Sequence, residues 1–253
     1  MKKHILTTIF LVASFCTSGI YSQCTSSIDL SIGVGHSYRT LSNQSGDEIV
    51  DMLISGRNSN EEVKSQWNAT IGYSRSLSEK WILSTGLKYS NYSYYISKNT
   101  DLRWPSQHDG TGGFDPTIEV EGPYNALYTY ELNHFVGVPI ALRYQLSKGK
   151  IMPYFQFGIT SNYHLSSKDY FSADSNIIRE TSNDVTSKFN IFGDLALGAN
   201  YTITNSTEVF GQVHYSHQVN ATQYGELGQR LLAYGINFGV RRSLCSNSGI
   251  VTQ

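Results

Sequence analysis

The segment His214-Tyr215-Ser216-His217 holds the residue types of nucleophilic catalysis at a spacing that works on a strand. Side chains two apart share a strand face, so His214 and Ser216 stand side by side, and a histidine within reach of a serine hydroxyl is the pairing from which an activated nucleophile is built. The same two residues are also ordinary filling for a polar interior. His217, three positions from His214, falls on the opposite face, which argues against a shared metal ion. Asp109-Gly110-Thr111-Gly112-Gly113 is rich in turn residues but lacks the spaced carboxylates of a calcium loop. The sequence gives no reason to expect a metal or a cofactor.

What must position these residues is a series of long strands. From residue 132 the chain alternates Leu132, Val136, Val138, Ile140 and Leu142 with Asn133, Gly137, Ala141, Arg143 and Gln145. The polar turn Ser147-Lys148-Gly149-Lys150 follows, and Ile151, Phe155, Phe157 and Ile159 then alternate with Met152, Tyr154, Gln156 and Gly158. A period of two sustained over about 15 residues, at roughly 3.3 Å each, exceeds the ~5–6-residue strand of a soluble sheet and suits a strand that crosses a bilayer at a tilt. The pattern recurs at about 28–40, 66–78, 80–96, 128–146, 151–165, 188–203, 207–220 and 229–244. Pro139 removes a ladder donor, so a bulge or local distortion is expected there.

These eight segments predict an all-β fold, an eight-stranded antiparallel up-and-down transmembrane β-barrel. Tight turns join strands two and three, four and five, and six and seven. Longer connections at 41–65, 96–127 and 166–187, with a shorter one before the last strand, belong to the other side. Bacterial barrels place short turns in the periplasm and long loops outside. Trp67, Tyr73, Trp81, Tyr89, Tyr144, Tyr201, Tyr215 and Tyr234 have outward parity and lie toward strand ends, where amphipathic rings favour the membrane boundary. A lumen of eight strands has room for side chains or one small ligand. By parity it receives Asp29, Lys88, Glu131, Arg143, Asp194, Glu208 and Arg241. Closure makes the first and last strands neighbours, so Asp29, Glu208 and Arg241, near the turn-side ends of strands one, seven and eight, are expected to form a structural ion-pair cluster, because buried charge must be paired.

Composition agrees. The 253 residues include 18 Tyr but only 15% charged residues, and the formal net charge of −1 argues against a nucleic-acid partner. Past the N-terminal leader no window holds ~18 apolar residues in a row, so helical spans are not expected. The opening Met1-Lys2-Lys3-His4, an apolar run and a polar end resemble a secretory signal peptide over 1–23, leaving 24–253 as the barrel domain. Cys24 and Cys245 flank the first and last strands at the oxidising periplasmic end, where a disulfide would clip the two ends together.

The run His134-Phe135-Val136-Gly137-Val138-Pro139-Ile140-Ala141-Leu142-Arg143-Tyr144, its turn, and Met152-Pro153-Tyr154-Phe155-Gln156-Phe157-Gly158 resemble the central hairpin of the small, porin-like outer-membrane β-barrel domain family of Gram-negative bacteria. Tyr234-Gly235-Ile236-Asn237-Phe238-Gly239-Val240 is similar to that family's last strand, although here Arg241 to Gln253 follow it. The resemblance implies a monomer exported to the outer membrane and surrounded by its lipid. Any specific role is then expected in the long loops, facing a surface ligand or an envelope protein. His214 and Ser216 also resemble the His-x-Ser segment of lipid A 3-O-deacylases, which would make them general base and nucleophile. His217 stands where that family has asparagine, Glu226 is not at its carboxylate spacing, and parity turns the pair into the lumen. The readings that follow are a non-enzymatic structural or surface-binding barrel, a deacylase-like enzyme, and a narrow small-solute channel.

Overall fold

The structure, a computed structural model, describes residues 26–96, 128–173, 176–182, 188–224 and 227–244. The expected signal peptide, Cys24, Cys245, Glu226 and nearly all of the 96–127 connection lie outside these residues. The strands are β1 (Ser26–Asn43), β2 (Glu61–Ser76), β3 (Trp81–Ile96), β4 (Tyr128–Gln145), β5 (Ile151–Ala173), β6 (Asn176–Ser182), β7 (Phe189–Thr204), β8 (Thr207–Gln218), β9 (Thr222–Tyr224) and β10 (Leu227–Ser243). Among the described residues one helix, α1, spans Glu48–Asn60.

Eight of the strands form the wall in the order β1-β2-β3-β4-β5-β7-β8-β10, and β10 pairs back onto β1, which closes the barrel. All neighbours are antiparallel, and the closing seam runs without a slip from Ser27↔Ser243 to Asn43↔Leu227. Closure satisfies the edges that lipid could not. Following paired residues around the wall from Ile28 through Tyr73, Thr85, Ile140, Ile159, Gly193, His217 and Leu232 returns to β1 at Tyr38, ten residues beyond the start. That stagger over eight strands, at ~3.3 Å per residue and ~4.8 Å between strands, sets a tilt of about 40°. The bore is therefore narrow. Gly35 and Gly235 face each other across the seam, and a Cβ on Gly35 would lie 2.1 Å from the Tyr234 carbonyl oxygen.

The burial pattern is that of a protein turned inside out. Ile32 is 66% exposed and Leu197 58%, whereas Asn68, Asn162, Asn190 and Asn200 are 0–1% exposed. Such a continuous outward apolar band is unsustainable in water and fits hydrocarbon. Rings border it on both sides. Trp81 packs on Tyr144 at the turn end, and Trp67 on Tyr89 at the loop end, each at 4.8 Å between centroids.

Two features depart from the sequence reading. The 41–65 connection contains α1, and β2 begins at Glu61. Asn43 accepts backbone N–H bonds from Ser45 and Gly46, the latter at φ 76°, turning the chain into the helix. Glu48 and Asp51 then sit in its first turn, where the helix dipole favours acids. The 166–187 connection is also not plain loop, because β5 continues to Ala173 and turns back as β6, which pairs with it. At Pro139 the expected distortion is a lapse in the pairing with β3 between Thr85↔Ile140 and Lys88↔Gly137, while the register with Thr160 is kept and no bulge forms. The bulge of β4 lies at His134/Phe135 instead.

Candidate functional site

The lumen is built in layers, each drawn from inward positions on several strands. Nearest the turns, Asp29 on β1 stands directly across the seam from Arg241, which in turn faces Glu208 on β8. Arg241 Nε donates to Asp29 Oδ1 at 2.6 Å and Nη2 to Oδ2 at 3.2 Å, and Nη1 lies 3.7 Å from Glu208. Ser74 donates to the same Asp29 carboxylate. The structure thus gathers Asp29, Glu208 and Arg241 in one cluster. Opposite them Arg143 spends Nε and Nη2 on Gln156 Oε1, at 3.1 and 3.0 Å, with its guanidinium 4.0 Å over the Tyr154 ring. Its Nη1 is buried without a partner among the described residues. The Tyr154 hydroxyl donates to Gln212 at 2.8 Å.

The second layer centres on Asp194 of β7, which faces Ser216 across the β7–β8 ladder. Thr160 and Ser216 each donate to it at 2.5 Å, and the Lys88 ammonium is 3.8 Å away. A cavity of about 110 Å³ separates the two layers, lined by Asp29, Lys88, Arg143, Asp194, Gln212 and His214 among others. That is well below the ~300–1,000 Å³ of a drug-sized ligand site. His214 and Ser216 share the inward face as their spacing requires, but they do not bond each other. The Ser216 hydroxyl is committed to Asp194, and His214 Nε2 lies 3.5 Å from Gln66. Ser216 is 1% exposed. His217 points outward, its ring 6.4 Å from that of Tyr215, and no His, Cys, Asp or Glu cluster among the described residues is arranged for a metal.

Above the cavity the lumen turns aromatic. Tyr92 stacks on Phe192 at 4.9 Å, Phe135 closes on Tyr92 edge-on at 5.5 Å, and Leu231 and Ala233 complete a buried cluster. At the mouth Arg39 donates from Nε to both oxygens of Glu61, at 2.9 and 2.8 Å, and from Nη1 to the Tyr94 hydroxyl at 2.7 Å. Tyr94 donates to Glu131, which also accepts from Asn133 at 2.9 Å. Ser167 bonds Asn133 at 2.7 Å and His164 at 2.9 Å. His164 and Ser167 are therefore a bonded histidine–serine pair that the sequence analysis missed. They lie three apart across the β4–β5 bulge, which breaks the two-residue rule that singled out His214 and Ser216. All three residues of the group are at most 5% exposed, so the bonds close the wall rather than present a nucleophile. The Arg39–Glu61 pair was missed because Glu61 reads as a loop acid until α1 returns the chain to the barrel.

The profile of an outer membrane protein β-barrel domain family matches residues 21–222. No curated protein matches the sequence. Among solved structures, the chain is similar to Neisserial surface protein A (9% identity, 88% of this chain and 98% of that one, TM-score 0.39). It is similar also to OprG from Pseudomonas aeruginosa (12%, 86% and 96%, TM-score 0.43) and to the outer membrane protease OmpT from Escherichia coli (10%, 90% and 99%, TM-score 0.43).

Proposed function

We propose, since the chain belongs to the outer membrane protein β-barrel domain family, that this outer-membrane protein is a non-enzymatic monomer acting at the cell surface through the segments 41–65, 96–127 and 166–187. The observation that carries this reading is the filled lumen. The Tyr92–Phe135–Phe192 cluster occupies the bore above the cavity, and the Asp29–Arg241–Glu208 pairs occupy it below. A route for solute would have to pass both, which disfavours the channel. Ser216 hydrogen-bonded to Asp194 rather than to His214, in the lumen rather than at the lipid face, disfavours the deacylase-like reading. What remains for specific recognition is the loop side, where α1 and the β5–β6 hairpin give the connections defined shape. Loops held by a rigid scaffold are where binding residues concentrate, so a surface ligand or an envelope protein is the expected partner.

The test is complementation of a strain lacking the gene. A variant without residues 97–127 should still assemble, seen as a barrel whose gel mobility changes on boiling, and should fail to restore the phenotype. Full restoration by this variant and by one that also lacks the tip of the 166–187 segment would assign the role to the barrel wall. Ser216→Ala should leave lipid A acylation unchanged, and planar bilayers containing the protein should show no discrete conductance steps.

A further inference from the structure

The turn-side rim carries charge that the lumen network does not use. Outside the lumen, the described residues at that end include Arg75, Lys80, Lys148, Lys150 and Arg242 against one carboxylate, Glu79, which holds Lys148 at 2.7 Å. Lys80 and Lys150 occupy equivalent places. Each immediately precedes a strand, β3 at Trp81 and β5 at Ile151, and each sets its ammonium over a tyrosine at the end of the next wall strand. Lys80 Nζ is 5.8 Å from the Tyr144 ring centre and Lys150 Nζ is 5.2 Å from that of Tyr201. Backbone bonds fix both arrangements, from Gln145 N–H to the Lys80 carbonyl at 2.8 Å and from Thr202 N–H to the Lys150 carbonyl at 2.9 Å.

Above each lysine the outer wall is grooved. One groove is lined by Leu83, Leu142, Phe157 and Leu195. The other runs beside Tyr201 over Ala199, flanked by Val209 and by the Phe238 ring that covers Gly211. A boundary ring with an ammonium on its aqueous side and an apolar furrow on the other matches the order of groups in a phospholipid.

We propose that Lys80–Tyr144 and Lys150–Tyr201 are two seats for anionic phospholipid in the turn-side leaflet, each lysine holding the phosphate and each groove an acyl chain. The excess of rim cations selects a net-negative headgroup over a zwitterionic one, each cation adding roughly fivefold.

The experiment is native mass spectrometry of the full mature chain released from nanodiscs of equal phosphatidylglycerol and phosphatidylethanolamine. The wild type should retain phosphatidylglycerol several-fold over phosphatidylethanolamine. Lys80→Gln with Lys150→Gln should abolish the preference, Lys80→Arg with Lys150→Arg should keep it, and Lys188→Gln with Arg230→Gln on the loop side should leave it unchanged. Equal retention of the two lipids by the wild type, or an unchanged preference in the double glutamine variant, would overturn the proposal. The wild-type measurement decides by itself if that variant fails to assemble.

Discussion

The two ends of the barrel solve the same problem with different chemistry. At the turn end the lumen is filled by full charges, Asp29, Arg241, Glu208 and Arg143, next to tight turns and a cationic rim. At the loop end it is filled by the rings of Tyr92, Phe135 and Phe192 beneath a charged mouth, and the wall continues past the apolar band into α1 and the β5–β6 hairpin. The difference shows what lipid does to a sequence. Where one face meets hydrocarbon and the other a polar bore, alternation is compulsory. Where the wall rises out of the membrane, the outer face meets water and alternation is no longer enforced.

The comparison is broken most severely by removing one member of the buried charge pair. Arg241→Ala leaves Asp29 in the lumen without its cation and should cost about 4 kcal/mol, measured as the urea midpoint of the barrel refolded in vesicles. Asp29→Asn combined with Arg241→Gln should cost clearly less. At the ring end, Phe192→Ala opens a cavity in a neutral plug and should cost about 3 kcal/mol. The Asp29–Arg241–Glu208 cluster still fills the bore below, so that variant alone should show no conductance steps.

A smaller effect separates the band from the wall above it. An outward arginine at Leu197 should cost ~2–4 kcal/mol, while the same residue at Leu165, exposed past the Tyr163–Phe189 ring pair, should cost ~0–1 kcal/mol. Equal costs would mean that the border is misplaced. Smallest of all is the exposed Glu79–Lys148 pair. The Lys148 ammonium holds the Glu79 carboxyl below its ordinary range, so its contribution is present above the unfolded carboxylate pKa and fades as pH falls through the lowered folded value. Solvent screens such pairs, so Lys148→Ala should leave the midpoint at pH 7 and its acid profile unchanged within error.

The legibility of the sequence follows the same division. Asp29, Arg241 and Glu208 could be grouped before any coordinates because they are direct cross-strand partners in an unbroken register, where parity and closure suffice. Residues 61–65 and 166–173 were read as loop because Glu61, Glu62, Lys64, Ser166, Ser167 and Lys168 present polar groups on both faces, which is permitted to strands outside lipid. Spacing pairs Ser216 with His214 on its own strand, whereas the partner of its hydroxyl comes from the neighbouring strand as Asp194. Bulges account for the rest. The shift between Val63 and Asn68 and the one at His134/Phe135 exchange inward and outward positions, so a two-residue rule carried through them finds the wrong neighbours.

The central claim is that the aliphatic side of the wall faces lipid and the hydrophilic side faces a narrow bore. Nitroxide labels placed singly at Leu195, Ala196 and Leu197, with Cys24 and Cys245 replaced by serine, test it by their accessibility to oxygen dissolved in the bilayer. High access at 195 and 197 with low access at 196 is the predicted result, and the opposite alternation, or equal access at all three, would contradict it.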